Sequence, residues 1–98
     1  DKAETILEEL NRENAVLSDD LIRLALIDAL RARGADERHR QEFIGSAYAR
    51  VWRAIHDLRY RDVRRLQDDT GFALLRKSSP GFNREVDDLL ARRAAHPQ

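Results

Sequence analysis

The sequence predicts an all-α protein, a compact helical bundle of five or six helices forming a single domain over residues 1–98. Three observations carry that expectation. Apolar residues recur at three- and four-residue spacings along most of the chain, which is the helical period. No stretch alternates with period two for long enough to make a strand. Only four glycines and two prolines interrupt the chain, so it has few places to turn.

The first segment, residues 3 to 16, sets Ile6, Leu7 and Leu10 on one helix face, with Glu4, Glu8 and Glu9 near the positive end of the dipole. Leu7, Leu10, Leu17, Leu21 and Leu24 also fall on a heptad with Asn14 in register, which raises the alternative of one long helix zipped to a partner. The heptad spans barely three repeats, short of what a coiled coil needs. Ser18 before Asp19 and Asp20 has the form of an N-cap followed by first-turn acids, so the sequence favours a break there. A second helix is then expected from residue 19 to Arg33, ending at Gly34 in the left-handed C′ conformation. Leu21, Ile22, Leu24, Ala25, Leu26, Ile27 and Leu30 leave it only a narrow polar stripe, so it should be central and nearly surrounded.

Asp36 can cap a third helix, in which Phe43, Ile44, Ala47, Tyr48, Val51, Trp52, Ile55 and Leu58 form a broad apolar stripe. Gly45 in its middle costs about 1 kcal/mol relative to Ala, a hint that another helix approaches closely there. Beyond Leu58 the stripe either continues through Asp62 and Leu66, or breaks so that Asp62 caps a short helix from Val63 to Asp68. Asp68, Asp69, Thr70 and Gly71 signal a turn, and a short apolar helix follows from Phe72. Ser79 as N-cap and Pro80 at the first helical position open the last helix. Its Phe82, Val86, Leu89 and Leu90 recur at helical spacing, and the final five residues should fray.

Composition narrows the function. The chain is 37% charged residues that balance to zero net charge, which sets it apart from disordered tails and gives no long-range attraction to nucleic acid. The absence of cysteine excludes disulfides, thiolate metal sites and cysteine nucleophiles. No apolar run approaches the roughly 18–20 residues of a membrane span, and a basic N-terminal leader is lacking, so a cytoplasmic location is expected. Sixteen arginines against two lysines suggest GC-rich coding and a bacterial source. Because the sequence begins at Asp1 without Met, it is compatible with a piece of a longer chain.

Two surfaces stand out. Tyr48, Trp52 and Tyr60 are candidate anchors for a protein partner, because Trp, Tyr and Arg dominate interface hot spots. Arg50, Arg53, Arg61, Arg64 and Arg65, interleaved with aromatic residues, form a candidate phosphate-binding face if one helix carries them. A helix-turn-helix around Gly71 would read bases with Arg76 and Lys77, but its second helix would open on apolar Phe72, Ala73, Leu74 and Leu75, which want burial. The acidic doublets Asp19-Asp20, Asp68-Asp69 and Asp87-Asp88 lack the spacing of a calcium loop, and first-turn dipole complementarity explains two of them. His39, His56 and His96 show no metal-ligand spacing, with His56 on an aromatic edge between Trp52 and Tyr60. No serine lies in a nucleophile elbow, and no glycine-rich phosphate loop exists. The expectation is therefore a non-catalytic protein–protein interaction module or regulatory adaptor, with no cofactor and no metal, acting through an apolar and aromatic helix face on another protein or on itself as a homodimer. The alternative is a small DNA-associated regulator that binds duplex through Arg50 to Arg65.

Overall fold

The computed structural model describes residues 2–95, apart from the side chains of Leu7, Asn11 and Ala95. Their order is α1 (Lys2–Gly34), α2 (Glu37–His56), α3 (Val63–Asp68), a 3₁₀ turn (Thr70–Phe72), α4 (Ala73–Ser78) and α5 (Pro80–Ala95), with no strand among the described residues. Of the five residues expected to fray, Ala94 and Ala95 lie in α5, and His96 and the two that follow lie outside the described residues.

The expected break at Ser18 does not occur: α1 runs unbroken for 33 residues. An N-cap needs non-helical backbone, whereas the Ser18 hydroxyl here donates back to the Ala15 carbonyl at 2.9 Å, as serines inside helices do. Ser18 is buried, and it lines a cleft together with the chain between Leu58 and Asp62. Its hydroxyl thus turns back on its own helix and caps nothing. Asp19 and Asp20 accordingly lie in mid-helix, Asp87 and Asp88 lie inside α5, and Asp68 ends α3, so first-turn placement explains none of the doublets.

The core forms where alanine lets helices approach closely. Ile22, Ala25, Ala29 and Ala32 of α1 meet Ile44, Ala47, Val51 and Ala54 of α2, all buried. Asp36 caps α2 through the His39 amide at 2.9 Å, as expected, with the His39 ring Nδ1 at 2.7 Å, and both hold its carboxyl below the usual range. The helix stops at His56 rather than running through Leu58. Arg59 then takes a left-handed conformation (φ 58°), and the Tyr60 amide reaches back to the Ala54 carbonyl at 2.9 Å. Gly34 needs no such conformation, since no described glycine has positive φ.

The shorter alternative for the next segment holds: Asp62 accepts from the Arg65 amide and caps α3. Asp69 caps the 3₁₀ turn through the Gly71 amide at 2.8 Å. Phe72 and Phe82, both fully buried, stack with centroids 5.7 Å apart and join that turn to α5. Ser79 caps α5 through the Phe82 amide at 3.3 Å, with Pro80 in its first turn. Close approach is found at glycines other than the expected one. A Cβ on Gly45 would meet nothing within 4 Å, whereas one on Gly71 would lie 2.0 Å from Leu26 Cδ1 and one on Gly81 2.8 Å from the Tyr48 ring.

Candidate interaction surface on the long helix

A helix of 33 residues spans about 50 Å at 1.5 Å per residue, and the molecule measures 54 Å along its longest axis. The body therefore covers only part of α1. Every side chain described between Lys2 and Glu13 is exposed, and burial begins in earnest at Ser18. The first third of the helix is an arm standing off the body.

The arm and the covered part share one apolar stripe. Ile6, Leu10, Val16, Leu17, Leu24, Ile27 and Leu30 remain 39% to 61% exposed. At 100° per residue they gather on the side turned away from Ile22, Ala25 and Ala29, so the core and the stripe occupy different faces of one helix. The second half of α1 is thus not surrounded, contrary to the breadth of its apolar pattern. The core accepts one face and leaves Leu24, Ile27 and Leu30 open. Leu10, Leu17 and Leu24 are successive members of the heptad visible in the sequence, which was the one available signal for this surface.

Polar pairing fixes how the helix is held. Asp28, nearly buried, accepts from the Ser46 hydroxyl at 2.9 Å and pairs with Arg50 Nε at 3.0 Å, tying α1 to α2. Across the body, the buried Glu85 carboxylate lies 2.8 Å from His56 Nε2, and the His56 ring stacks on Trp52 at 4.4 Å. Such contacts stabilise by making one arrangement of the helices the best-paired one.

The three aromatic anchors do not all stay accessible. Tyr48 is half-buried against Gly81, and Trp52 is 42% exposed on α2. Tyr60, at 5% exposure, belongs to the core, which removes it from any accessible anchor set. Its hydroxyl is buried without a hydrogen-bond partner. Burial first, and then the nearby Asp62 carboxylate, push its phenol up to about 12, while Arg65 pulls weakly the other way.

The arginines are likewise dispersed, because the helix that was to align them ends at His56. Arg50 is held by Asp28, Arg53 faces Asp57 at 3.9 Å, and Arg61 donates to the neighbouring Tyr60 carbonyl. Arg64 and Arg65 lie on the separate helix α3, the first exposed and the second half-buried. Arg76 caps the end of α3, donating to the carbonyls of Leu66 at 2.9 Å and Asp69 at 3.1 Å, and only Lys77 beside it is exposed. With Phe72 and Leu75 fully buried, the turn around Gly71 is part of the core rather than a reading head.

Among the described residues, no group of three or more His, Asp or Glu side chains is placed to hold a metal ion, and no helix is long and apolar enough to cross a membrane. No protein-family model matches the chain, nor does any curated protein or solved structure.

Proposed function

We propose that this protein is a non-catalytic interaction module, an adaptor that docks a helical partner along the exposed stripe of α1. One observation carries the reading: a single helix extends beyond its own body while keeping Ile6, Leu10, Leu17, Leu24, Ile27 and Leu30 exposed in a line. Exposed apolar surface of that kind marks interaction sites, and an amphipathic helix recognises another through anchors at this spacing. Energetics support it too. A helical arm of about a dozen residues with no side-chain packing of its own is marginal in water, because such packing supplies most helix stability in proteins. A partner helix on the stripe would supply that packing.

The aromatic residue that remains accessible, Trp52, lies on α2, where it would extend the contact only for a partner large enough to reach round the body. A duplex-binding role has less support, because Arg50 and Arg76 are committed to internal partners and the helix that was to align the arginines ends at His56.

Photo-crosslinking tests the proposal. A benzophenone side chain replacing Leu17 or Leu24, in the chain expressed in its own cells, should give an adduct of one defined mass. The same group replacing the exposed Arg92 of α5 should give none. Equal adducts from all three positions, or none from the stripe, overturn the assignment.

A further inference from the structure

We infer that the occupant of the α1 stripe is a second copy of this chain, laid antiparallel along it. The inference rests on the stripe being the interaction surface, and the charge pattern of the helix carries it further. From Lys2 to Asp20, Lys2 and Arg12 stand against Glu4, Glu8, Glu9, Glu13, Asp19 and Asp20, a net charge of −4. From Leu21 to Gly34, Arg23, Arg31 and Arg33 stand against Asp28, a net charge of +2, and Asp28 is already neutralised by Arg50. The helix is acidic at its free end and basic where it meets the body.

Two such helices in parallel would set acid against acid over the whole arm. Antiparallel, the acidic arm of each lies on the basic half of the other, and the two helix dipoles oppose. The apolar pattern is matched to the same arrangement. Leu10 and Leu24 each lie seven residues from Leu17, so a pair centred on Leu17 sets Leu10 of one copy against Leu24 of the other, with the two Leu17 side chains meeting at the centre. Glu13 and Asp20, which interrupt the stripe, then fall opposite Leu21 and Asn14 of the other copy. Asp20 is paired with Arg23 at 3.8 Å in its own chain, and that arginine lies within about a turn of Glu9 and Glu13 of the other copy. A parallel pair would instead set Glu13 against Glu13. The core helices lie on the other face of α1, so each body stays clear of the arm that crosses it. Each copy thus covers the other's open Leu24 and Ile27 with an arm that gains packing in return.

Light scattering over a concentration series should show a dimer. A spin label at Glu4→Cys is unique in a chain without cysteine and measures direction. In the antiparallel pair Glu4 opposes Leu30 of the other copy, 26 residues from its own counterpart, so the labels should be about 39 Å apart. Glu8→Lys with Glu9→Lys supplies the opposite-sign test. It should raise the dimer dissociation constant roughly two- to thirtyfold by removing attraction, whereas a parallel pair would tighten. A monomer at all concentrations, labels closer than about 20 Å, or tightening by the lysines overturns the inference. A monomer whose position-17 crosslinker captures a different protein leaves the surface standing and removes only the second copy. A dimer that persists unchanged in Leu17→Glu removes both.

Discussion

Replacing Tyr60 with Phe probes how the connection between α2 and α3 is seated on α1. The ring is in the core, at 5% exposure, and its hydroxyl has no hydrogen-bond partner. A buried hydroxyl left unpaired costs about 1–3 kcal/mol in lost hydration. Phe keeps the ring and removes that cost, so Tyr60→Phe should hold stability level or raise it by about 1 kcal/mol, worth about 4–8 °C in Tm for a chain of this size. A second signature lies in pH. Burial, followed by Asp62, raises the folded-state pKa from 10 to about 12. The unfolded chain therefore releases this proton first. The stabilisation is intact below about pH 10 and is lost as pH rises through about 12. That interval is worth at most about 3 kcal/mol, and about half of it after solvent screening of the exposed Asp62 charge. Urea unfolding of both proteins, at neutral pH and at steps through the alkaline range, reads both effects. Wild type should lose more stability than Tyr60→Phe over that interval, with Tyr48 present in both as the internal control. A variant less stable than wild type by more than about 1 kcal/mol at neutral pH, or one with an undiminished alkaline loss, would refute the account of an unpaired, raised phenol.

The glycines give a contrast of sign. Gly45→Ala, exposed in mid-helix with open space around it, should stabilise by up to about 1 kcal/mol through helix propensity. Gly81→Ala must displace the Tyr48 ring and should lower Tm despite the same propensity gain; equal shifts in a thermal melt would show that the Tyr48 contact is loose. Asp28→Ala removes the acceptor that joins Ser46 and Arg50 to α1. Its cost should be about 1–2 kcal/mol, less than for a fully buried pair because the stranded Arg50 can turn to water. A double-mutant cycle with Arg50→Ala should show coupling near 1 kcal/mol, and strict additivity would mean that the pair adds nothing.

The arm links stability to function. Residues 2–13 have no covered side chain among those described, so their amides should exchange fast whenever the stripe is free and slow when it is occupied. This gives the stripe a readout independent of mass, since occupancy would order a segment that the body does not hold. The body also gives α1 a fixed direction: Asp28 is bound to α2, and Ser18 is buried beside a cleft that the Leu58–Asp62 segment also lines. The stripe therefore leaves the body at one angle, which allows a helical surface to select its partner by shape and charge.

Local chemistry made much of this fold legible. The caps at Asp36 and Ser79 and the turn at Asp69–Gly71 act within a few residues of themselves, so short patterns announced them correctly, whereas the cap at Asp62 was one of two readings the sequence left open. The apolar stripe of α2 and the short apolar helix after the turn were visible for the same reason. Ser18 was not, because a serine followed by two aspartates has the local form of a cap and so favours a break that does not occur. In the structure Ser18 is buried instead, and it lines a cleft with the Leu58–Asp62 segment, forty residues away. The same distant packing buried Tyr60, turned Arg50 and Arg76 inward, and moved close helix approach from Gly45 to Gly71 and Gly81. Sequence alone determined that the chain is helical, where most helices begin, and that Leu10, Leu17 and Leu24 lie in register. Only the tertiary structure decided which apolar face is spent inside and which is left for a partner, because that depends on how much of a 50 Å helix a small body can cover.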